Sequence, residues 1–365
     1  IIEIEEKKQE IQPRNYTWFI VQWGLMKVFS GSSNKPLAEK IAKQLGVSLS
    51  PCEIFIFPDG ERRVRLEENV VDEDVIIVQT FSPHPDTHIM ELFFLVDAAK
   101  RSGAKSITAV VPYLGYQRQD HVFRDGEAVS LNVVIKTLEA SGVDKIITFD
   151  LHSIKIPELF KIPIIHLSAL SIFAEKIKQI INGAEVASEN FRLHNTGKFG
   201  LRNLKTEGVN AQSENSESFP RQNDTILVSP DMGGIRRIKI ISELLDGAQF
   251  AAIEKNRDLA TGDIASNKFG EGFEKGAKRA IIVDDMISTG RTIVAACDLL
   301  LQNGVEEVFV FATHPVFSNN ASKVLQESKV AKVFVTDTIE VQQDKVFEKL
   351  EVLSVAQVIA GKLKN

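Results

Sequence analysis

Short runs of apolar residues alternate with longer amphipathic segments from Lys27 to the end of the chain. Strands are predicted where these runs are rich in β-branched and aromatic residues, at Glu53–Phe57, Val75–Thr80, Ser106–Val111, Ile146–Asp150, Thr225–Ser229, Phe250–Ile253, Ala280–Asp284 and Val308–Thr313. Because most of these runs are apolar throughout, we expect them to be buried on both faces. Helices are predicted at His88–Ser102, Ser130–Ser141, Gly234–Leu245 and Thr292–Asn303. The alternation is typical of an α/β protein with a parallel sheet.

The chain has 365 residues, about 2.4 times a domain of ~150 residues, which predicts two domains. A helix that ends at glycine and is soon followed by an apolar strand occurs at Gly103 and Gly142, and again at Gly304. Any α/β protein can repeat this punctuation, but its presence in both halves is compatible with two similar domains. We predict one α/β domain over residues 26–168, joined by residues 350–365, and a second over residues 169–349.

Two segments depart from the alternating pattern. Residues 1–25 contain both tryptophans, Trp18 and Trp23, and match nothing later in the chain, so we predict an appendage. The segment Gly183–Asp224 is rich in Asn, Ser, Glu, Gln and Gly and is much longer than ordinary connections. Such a composition buries little apolar surface, which predicts a mobile insertion at residues 183–224.

Composition limits the partners of the protein. Its 43 Lys and Arg residues against 49 Asp and Glu residues give a net charge of −6, which argues against nucleic acid or membrane partners. The apolar stretch from Trp18 to Val21 is far shorter than the ~18 residues of a membrane span, and acidic residues precede it. Cys52 and Cys297 have no metal-ligand spacing and fit a reducing compartment. We therefore expect a cytoplasmic protein.

The strongest chemical motif spans Ile281–Thr292. An apolar strand leads into Asp284 and Asp285, and a short turn with two hydroxyl residues and a glycine precedes a helix that begins near Thr292. Backbone N–H groups of such a turn and of the helix N-terminus bind a phosphate group, while paired carboxylates accept hydrogen bonds from sugar hydroxyls. Helix capping alone also explains small residues at this position. The two acids favour a site for a phosphorylated sugar, and the nucleotide motif G-x-x-x-x-G-K-[ST] is absent from the sequence.

This motif resembles the phosphoribosyl-pyrophosphate loop of type I phosphoribosyltransferases and of ribose-phosphate pyrophosphokinases. Further motifs resemble the second family and follow its order, at Phe57–Glu61, Pro112–Asp120, Asp150–His152 and Ser229–Gly234. The segments Arg124–Ser130 and Ser288–Gly290 are more similar to archaeal-type members. The resemblance implies two doubly wound parallel-sheet domains of the type I phosphoribosyltransferase kind. It also implies Mg²⁺-dependent transfer of pyrophosphate from ATP to the 1-hydroxyl of ribose 5-phosphate, in a homo-oligomer.

The resemblance also assigns roles to individual residues. The positions implied to bind ATP are Phe57, Asp59, Gly60, Glu61, Arg118, Gln119 and His152. The turn that contains Asp59 reaches a neighbouring subunit's site in this family. The positions implied to bind ribose 5-phosphate are Asp284, Asp285, Ser288, Thr289, Gly290, Arg291 and Thr292. His152 and Asp231 match magnesium-associated positions. Lys255 and Arg257 match catalytic cations on a flexible loop, which we place after the predicted strand Phe250–Ile253.

Other interpretations of these residues stay open. The Asp59–Glu61 segment also suits an ordinary exposed turn, Arg118 a structural ion pair, and His152 a structural histidine. Asp231 suits a helix cap, and Lys255 with Arg257 a solvated surface. Two other functions also stay open: a type I phosphoribosyltransferase, and a non-catalytic regulatory subunit related to the synthetases. The second draws on His121, which stands where the family often has a basic residue.

Overall fold

The computed structural model describes residues 26–182, 224–257, 264–270, 273 and 276–364, which form two compact units. The first unit runs to Leu167 and includes Thr338–Glu340 and the residues from Ser354 onward, and the second contains the rest. The predicted appendage at residues 1–25 lies outside the described residues, as does the predicted insertion apart from Asp224. No helix in the described part of the chain is long and apolar enough to cross a membrane.

The first unit is built on a parallel sheet. In spatial order its strands are β1 (Met26–Ser30), β4 (Asp74–Val78), β5 (Ser106–Val110), β6 (Lys145–Phe149) and β7 (Ile164–Leu167). Its helices are α1 (Lys35–Leu45), α2 (Pro85–Arg101), α3 (Ser130–Ser141) and the C-terminal α8 (Ala356–Leu363). A buried cluster that includes Phe29, Leu92 and Ile135 joins the sheet to α2 and α3. Helix α8 contacts α1, so the end of the chain completes this unit.

A hairpin outside this sheet joins β2 (Cys52–Ile56) to β3 (Arg62–Leu66). The pattern at Glu53–Phe57 predicts a buried strand of the parallel sheet, and this prediction is wrong. The strand pairs antiparallel with β3, and Phe55 and Ile56 are 43% and 53% exposed. Cys52, Val64 and Leu66 pack against the apolar cluster beside α2, so only the base of the hairpin is anchored.

The second unit contains a seven-stranded sheet. In spatial order its strands are β10 (Ile264–Phe269), β9 (Phe250–Arg257), β8 (Thr225–Ser229), β11 (Arg279–Ile287), β12 (Glu307–Pro315), β13 (Lys332–Thr336) and β14 (Leu350–Leu353). Its helices are α4 (Leu170–Ile181), α5 (Ile235–Leu244), α6 (Arg291–Gln302) and α7 (Ala321–Glu327). Separate apolar clusters contain alternate residues of β11, Ile282 in one and Ile281 in the other. The strand is thus buried on both faces, and the predicted α/β fold with parallel sheets is confirmed.

The strand order of this sheet reverses between β8 and β11. From β8 the chain proceeds to β9 and β10 on one side, then returns to β11 on the other side and continues to β14. In an open α/β sheet the carboxyl ends of strands at such a reversal enclose a crevice where ligands bind. The loops that follow β8 and β11 therefore define the candidate site of this unit.

Two elements of the second unit differ from the sequence prediction. Strand β9 continues through Arg257 instead of ending at Ile253, because it forms an antiparallel ladder with β10 that satisfies its backbone groups. Strand β14 pairs with β13, although we predicted that residues 350–365 join the first domain. Within that range, only the residues from Ser354 onward belong to the first unit.

Candidate active site

The loop after β8 lies where the strand order reverses, and hydrogen bonds between its own residues hold its conformation. Asp231 Oδ1 accepts a hydrogen bond from the Gly234 amide at 3.3 Å, and Ser229 Oγ donates to the Asp231 carbonyl at 2.7 Å. A Cβ atom at Gly234 would lie 2.4 Å from Ser229 Oγ, which excludes any larger residue there. Asp231 thus caps the helical turn that leads into α5, as one interpretation of the sequence predicts.

The acidic pair lies near the end of β11. Asp284 Oδ1 accepts the Asp285 amide at 2.9 Å, and Asp285 Oδ1 accepts the Met286 amide at 3.0 Å. Arg237 of α5 lies beside both carboxylates, with Nη1 3.5 Å from Asp284 Oδ1 and Nη2 3.7 Å from Asp285 Oδ2. One guanidinium therefore balances only part of the negative charge of two largely buried acids.

Burial raises the pKa of the Asp284 carboxyl well above its ordinary value of 3.8. The charge of Asp285 and a hydrogen bond with it raise this pKa further, Arg237 lowers it, and Asp231 raises it slightly. Asp231 thus contributes to the field at Asp284, although the two residues follow different strands. The site holds excess negative potential, which suits hydroxyl donors or a cation as ligands.

The turn Ser288–Gly290 follows β11 and leads into α6. Ser288 Oγ lies 3.2 Å from Ser318 Oγ, and the Ser318 amide donates to the Ser288 carbonyl at 2.9 Å. The amides of Thr289 and Gly290 have no acceptor among the residues that the structure describes. Gly290 has a φ of +76°, and a Cβ atom there would lie 3.3 Å from Leu325 Cγ. Glycine therefore allows the backbone to turn sharply toward the N-terminus of α6.

Arg291 is the first residue of α6, so this helix begins one residue earlier than predicted. Arg291 is exposed, while Thr289 and Thr292 are half-buried beside the turn. The structure thus brings the residues predicted to bind a sugar phosphate to one strand end: Asp284, Asp285, Ser288, Thr289, Gly290, Arg291 and Thr292. Acceptors for hydroxyl groups lie on the strand, and donors for a phosphate lie on the turn and the helix.

In the first unit, the residues predicted to contact adenine form the tip of the β2–β3 hairpin. The Phe57 amide donates to the Glu61 carbonyl at 2.8 Å, and the Gly60 amide donates to the Phe57 carbonyl at 2.9 Å. The Glu61 amide donates to Asp59 Oδ1 at 3.1 Å, and Gly60 has a φ of +92°. This is a well-formed exposed turn, in which the Asp59 side chain is directed by a local hydrogen bond with the Glu61 amide.

Arg118, Gln119 and His152 also lie in the first unit, after the strands β5 and β6, and all are exposed. Gln119 Oε1 accepts from Ser130 Oγ at 2.6 Å at the start of α3. The His152 amide donates to Gln117 Oε1 at 2.9 Å. Within the described residues, Arg118 forms no ion pair, so the structural ion pair considered from the sequence is not observed there. A solvent-facing guanidinium is available to an anionic ligand.

Lys255 and Arg257 lie on a strand instead of a loop. Their backbone positions pair with Asn267 and Ile264 of β10, so the predicted flexible loop does not begin directly after Ile253. Residues 258–263, which join the two strands, lie outside the described residues. The catalytic role of Lys255 and Arg257 stays a prediction.

Arg237 is the residue of this site that the sequence analysis does not identify. It lies in the predicted helix Gly234–Leu245, where an arginine next to Arg236 indicates only a solvated face. One signal was available: Arg237 lies six residues after Asp231, in the first turn of the helix that follows the Ser229–Gly234 motif. Its proximity to Asp284 depends on the packing of α5 against β11.

The carboxylates on β11 and in the loop after β8 suit a magnesium ion. Asp231 and Asp284 supply the oxygen ligands that Mg²⁺ prefers, and a cation would favour the ionised form of Asp284, whose pKa is raised by burial and by Asp285. In the described part of the chain, no group of three or more His, Cys, Asp or Glu residues could hold a metal ion. Mg²⁺ commonly binds through one or two carboxylates together with substrate phosphates. His152 lies in the first unit, and its nitrogen donors suit Mg²⁺ less than a carboxylate does.

Comparison with known proteins identifies the family. Residues 26–142 match the N-terminal domain of ribose phosphate pyrophosphokinase, and residues 272–365 match the phosphoribosyl synthetase-associated domain. The chain is 36% identical over 336 residues to the ribose-phosphate pyrophosphokinase of Bacillus cereus, covering 92% of each chain. It is 34% identical over 334 residues to that of Thermotoga maritima, with the same coverage.

A solved structure agrees with these matches. The fold is similar to the crystal structure of phosphoribosylpyrophosphate synthetase from Mycobacterium smegmatis, with a TM-score of 0.76 and 30% identity. The similarity covers 93% of this chain and 97% of that one, so it includes both units and their order along the chain. The sequence and the fold agree over nearly the whole length, and the chain is an enzyme of the ribose-phosphate pyrophosphokinase family.

Proposed function

We propose that the protein transfers the β,γ-pyrophosphoryl group of ATP to the 1-hydroxyl of ribose 5-phosphate. The products are 5-phosphoribosyl 1-pyrophosphate and AMP. The observation that carries this proposal is the turn Ser288–Gly290 beside Asp284. Amides without an acceptor among the described residues lie there next to a carboxylate, so one place offers donors for a phosphate and an acceptor for sugar hydroxyls. The family match supports the identity of the two substrates.

The sugar phosphate binds at the end of β11. Its 5-phosphate accepts hydrogen bonds from the amides of Thr289 and Gly290 and from the hydroxyl of Thr292, and the positive end of α6 favours its charge. Its vicinal hydroxyls donate to Asp284 and Asp285. Arg237 favours the ionised form of this pair, because it opposes the rise that burial and Asp285 cause in the pKa of Asp284.

ATP binds to residues of the first unit. The turn Phe57–Glu61 contacts the adenine base, and Arg118 with its neighbour Gln119 contacts the nucleotide. The exposed guanidinium of Arg118 supports this role, because its five donors suit a polyphosphate. His152 orients phosphate near the end of β6.

The reaction is a displacement at the β-phosphorus. The anomeric oxygen forms a bond to the β-phosphorus, the bond from that phosphorus to the oxygen shared with the α-phosphate breaks, and AMP leaves with the shared oxygen. The hydroxyl proton passes to solvent. Lys255 and Arg257 stabilise charge that develops on the transferred group and on the leaving oxygen. When bound through Asp231 and Asp284, Mg²⁺ would reduce the charge of the phosphates.

The test is product analysis by mass spectrometry after incubation of purified protein with ATP, Mg²⁺ and ribose 5-phosphate. We expect AMP and the pyrophosphorylated sugar in equal amounts, and neither product when ribose 5-phosphate or Mg²⁺ is omitted. With ribose 5-phosphate labelled by ¹⁸O at the anomeric position, the label should stay in the sugar product. Formation of ADP would contradict the proposal, since it would mean transfer of a single phosphoryl group.

The two other candidate functions give different results in this assay. A phosphoribosyltransferase would release pyrophosphate from 5-phosphoribosyl 1-pyrophosphate and a nucleobase without consuming ATP. A regulatory subunit would bind ligands without turnover.

The variant Lys255→Ala should lower turnover by about 10² to 10⁴-fold with little change in substrate affinity, as for loss of a transition-state donor.

A further inference from the structure

Glu91 is a completely buried carboxylate on α2, in the first unit. Its Oε1 accepts from the Ser32 amide at 2.6 Å and from Gln79 Nε2 at 2.8 Å. Its Oε2 accepts from Ser32 Oγ at 2.9 Å and lies 3.4 Å from Arg62 Nε. Burial of a carboxylate is costly unless it is paired and hydrogen-bonded, and these contacts provide both.

The donors to Glu91 come from separate elements. Ser32 lies in the turn between β1 and α1, Gln79 follows β4, and Arg62 is the first residue of β3. A single side chain on α2 thus connects the carboxyl ends of two sheet strands with the tip end of the hairpin. An apolar residue at position 91 could fill the volume, but it could not orient these groups.

Gln79 is itself fixed and extends the network. Its Oε1 accepts from Ser33 Oγ at 2.6 Å and from the Ser33 amide at 3.2 Å, while Nε2 also donates to the His88 carbonyl at 3.2 Å. A Cβ atom at Gly31 would lie 2.2 Å from Gln79 Oε1, so the Gln79 amide lies directly against the backbone of the turn. The donors from Ser32 and Gln79 orient the carboxylate of Glu91, and its Oε2 then faces Arg62 Nε.

Arg62 connects Glu91 to the exposed hairpin tip. It pairs with Ile56 across the hairpin and directly follows Glu61, so its position sets the base of the turn Phe57–Glu61. A groove of about 620 Å³ between this turn and α2 is lined by Gly60, Glu61, Arg62 and Met90, among others. Phe55, Ile56 and Phe57 near the tip are exposed, and the ion pair between Arg62 and Glu91 joins this end of the hairpin to α2.

We propose that Glu91 is a positioning residue for nucleotide binding: through Arg62 it holds the turn Phe57–Glu61 in the orientation that contacts the adenine base. This inference rests on the proposed function, which assigns that turn to ATP. Among the described residues, Glu91 contacts Ser32, Gln79 and Arg62, none of which is assigned to the phosphates or to the sugar, so it affects the affinity for ATP and leaves ribose 5-phosphate binding unchanged. A residue that only stabilised the fold would not distinguish the two substrates.

The experiment compares Glu91→Gln with Asp97→Asn, a matched control on the same helix whose carboxylate pairs with exposed Arg101. ATP binding is measured by calorimetric titration in Mg²⁺ without sugar, and KM and kcat are then measured for each substrate. We expect Glu91→Gln to weaken ATP binding about tenfold, because small misplacements of binding groups are costly. The KM for ribose 5-phosphate should stay within about twofold of the parent, and Asp97→Asn should change neither value.

A double variant tests whether Glu91 acts through Arg62. If it does, Glu91→Gln combined with Arg62→Gln should weaken ATP binding no more than Arg62→Gln alone, because contacting residues are not additive. Unchanged ATP binding in Glu91→Gln overturns the proposal, and so does an equal loss for both substrates. If Glu91→Gln does not fold, Ser32→Ala removes one contact of the carboxylate and should give the same substrate selectivity in weaker form. A Ser32→Ala variant without this selectivity for ATP would overturn the proposal.

The titration separates this inference from the proposed function. Parent protein that binds ATP but forms no AMP would contradict the proposed reaction, while the comparison of variants would still decide the role of Glu91. Parent protein that forms AMP with unchanged ATP affinity in Glu91→Gln would contradict only the inference.

Discussion

In the first unit a turn of small residues joins β1 to α1, and in the second unit the turn Ser288–Gly290 joins β11 to α6. The two turns differ in what their amides bind. In the first unit, the Ser32 amide and hydroxyl donate to the carboxylate of Glu91, and those of Ser33 donate to Gln79. In the second, the amides of Thr289 and Gly290 have no acceptor among the described residues. The first turn is closed by an internal anion, whereas the second is available to an external one.

The acids at the two turns differ in the same way. Glu91 receives donors from three other elements, so its charge is compensated within the fold. Asp284 accepts the amide of the next residue, and Arg237 lies at 3.5 Å, while burial and the charges of Asp285 and Asp231 raise its pKa. Glu91 therefore contributes to stability, whereas Asp284 reduces stability in the absence of ligands. A turn's composition does not distinguish the two cases.

Among the variants that test this comparison, the largest effect should come from Asp284→Asn, which removes the charge from the open site. We expect turnover with ribose 5-phosphate to fall about 100-fold, as for loss of one well-placed polar contact in a transition state. The thermal midpoint should not fall, because the amide relieves the burial of charge. The pH dependence follows from the raised pKa of Asp284. Protonated Asp284 contributes stability below its ordinary pKa of 3.8, and this contribution is lost as pH rises through the pKa of the folded state.

Turnover assays and thermal unfolding at neutral pH check this prediction. The control is Asp344→Asn, an exposed acid of the same unit, which should change neither quantity. A large drop in the thermal midpoint of Asp284→Asn would show that the carboxylate stabilises the fold, and the contrast with Glu91 would be wrong.

Substitution of the turn glycines compares the packing of the two turns. Gly31→Ala places Cβ 2.2 Å from Gln79 Oε1, and we expect a loss of about 1–3 kcal/mol, as for other overpacked interiors. Gly290→Ala meets Leu325 Cγ at 3.3 Å and has a positive φ, which costs roughly 1–2 kcal/mol. Urea midpoints of the two variants should rank Gly31→Ala as the less stable. The reverse order would mean that the open turn is the more constrained one.

Arg237→Gln should alter the pH dependence of the open site. Arg237 lowers the pKa of Asp284, so its removal raises that pKa further. Because Asp284 must be ionised to accept sugar hydroxyls, the acidic limb of the kcat/KM profile for ribose 5-phosphate should move to higher pH. The neighbouring exposed Arg236→Gln is the matched control. An unshifted profile in Arg237→Gln would show that the guanidinium does not act on Asp284.

The smallest effect should come from removal of single hydroxyls. Ser32→Ala loses a 2.9 Å hydrogen bond to buried Glu91 and should lower stability by about 0.5–1.5 kcal/mol. Ser288→Ala loses a 3.2 Å contact with Ser318 beside the open turn and should lower it less. Thermal midpoints measured in the same buffer decide the ranking. Equal losses would remove the distinction between a closed and an open turn.

Much of the fold and most of the candidate site follow from sequence pattern. Apolar runs such as Thr225–Ser229 and Ala280–Asp284 correctly predict strands. A strand buried on both faces needs apolar side chains at successive positions, so its sequence is recognisable. Less apolar strands such as Arg62–Leu66 and Ile264–Phe269 are not predicted. They form because their backbone groups hydrogen-bond to a neighbouring strand, and their own sequences carry no clear apolar pattern.

By itself, the sequence determined the α/β class and placed Asp284, Asp285 and the turn Ser288–Gly290 in one strand–turn–helix motif, because these residues are neighbours along the chain. Only the tertiary structure decided which turn is open, since Glu91 lies far from Ser32 in sequence and reaches it only through the packing of α2. The same holds for Arg237, which reaches Asp284 from another element. Local pattern specifies which donors and acceptors a segment offers, but their partners depend on distant elements that the fold brings together.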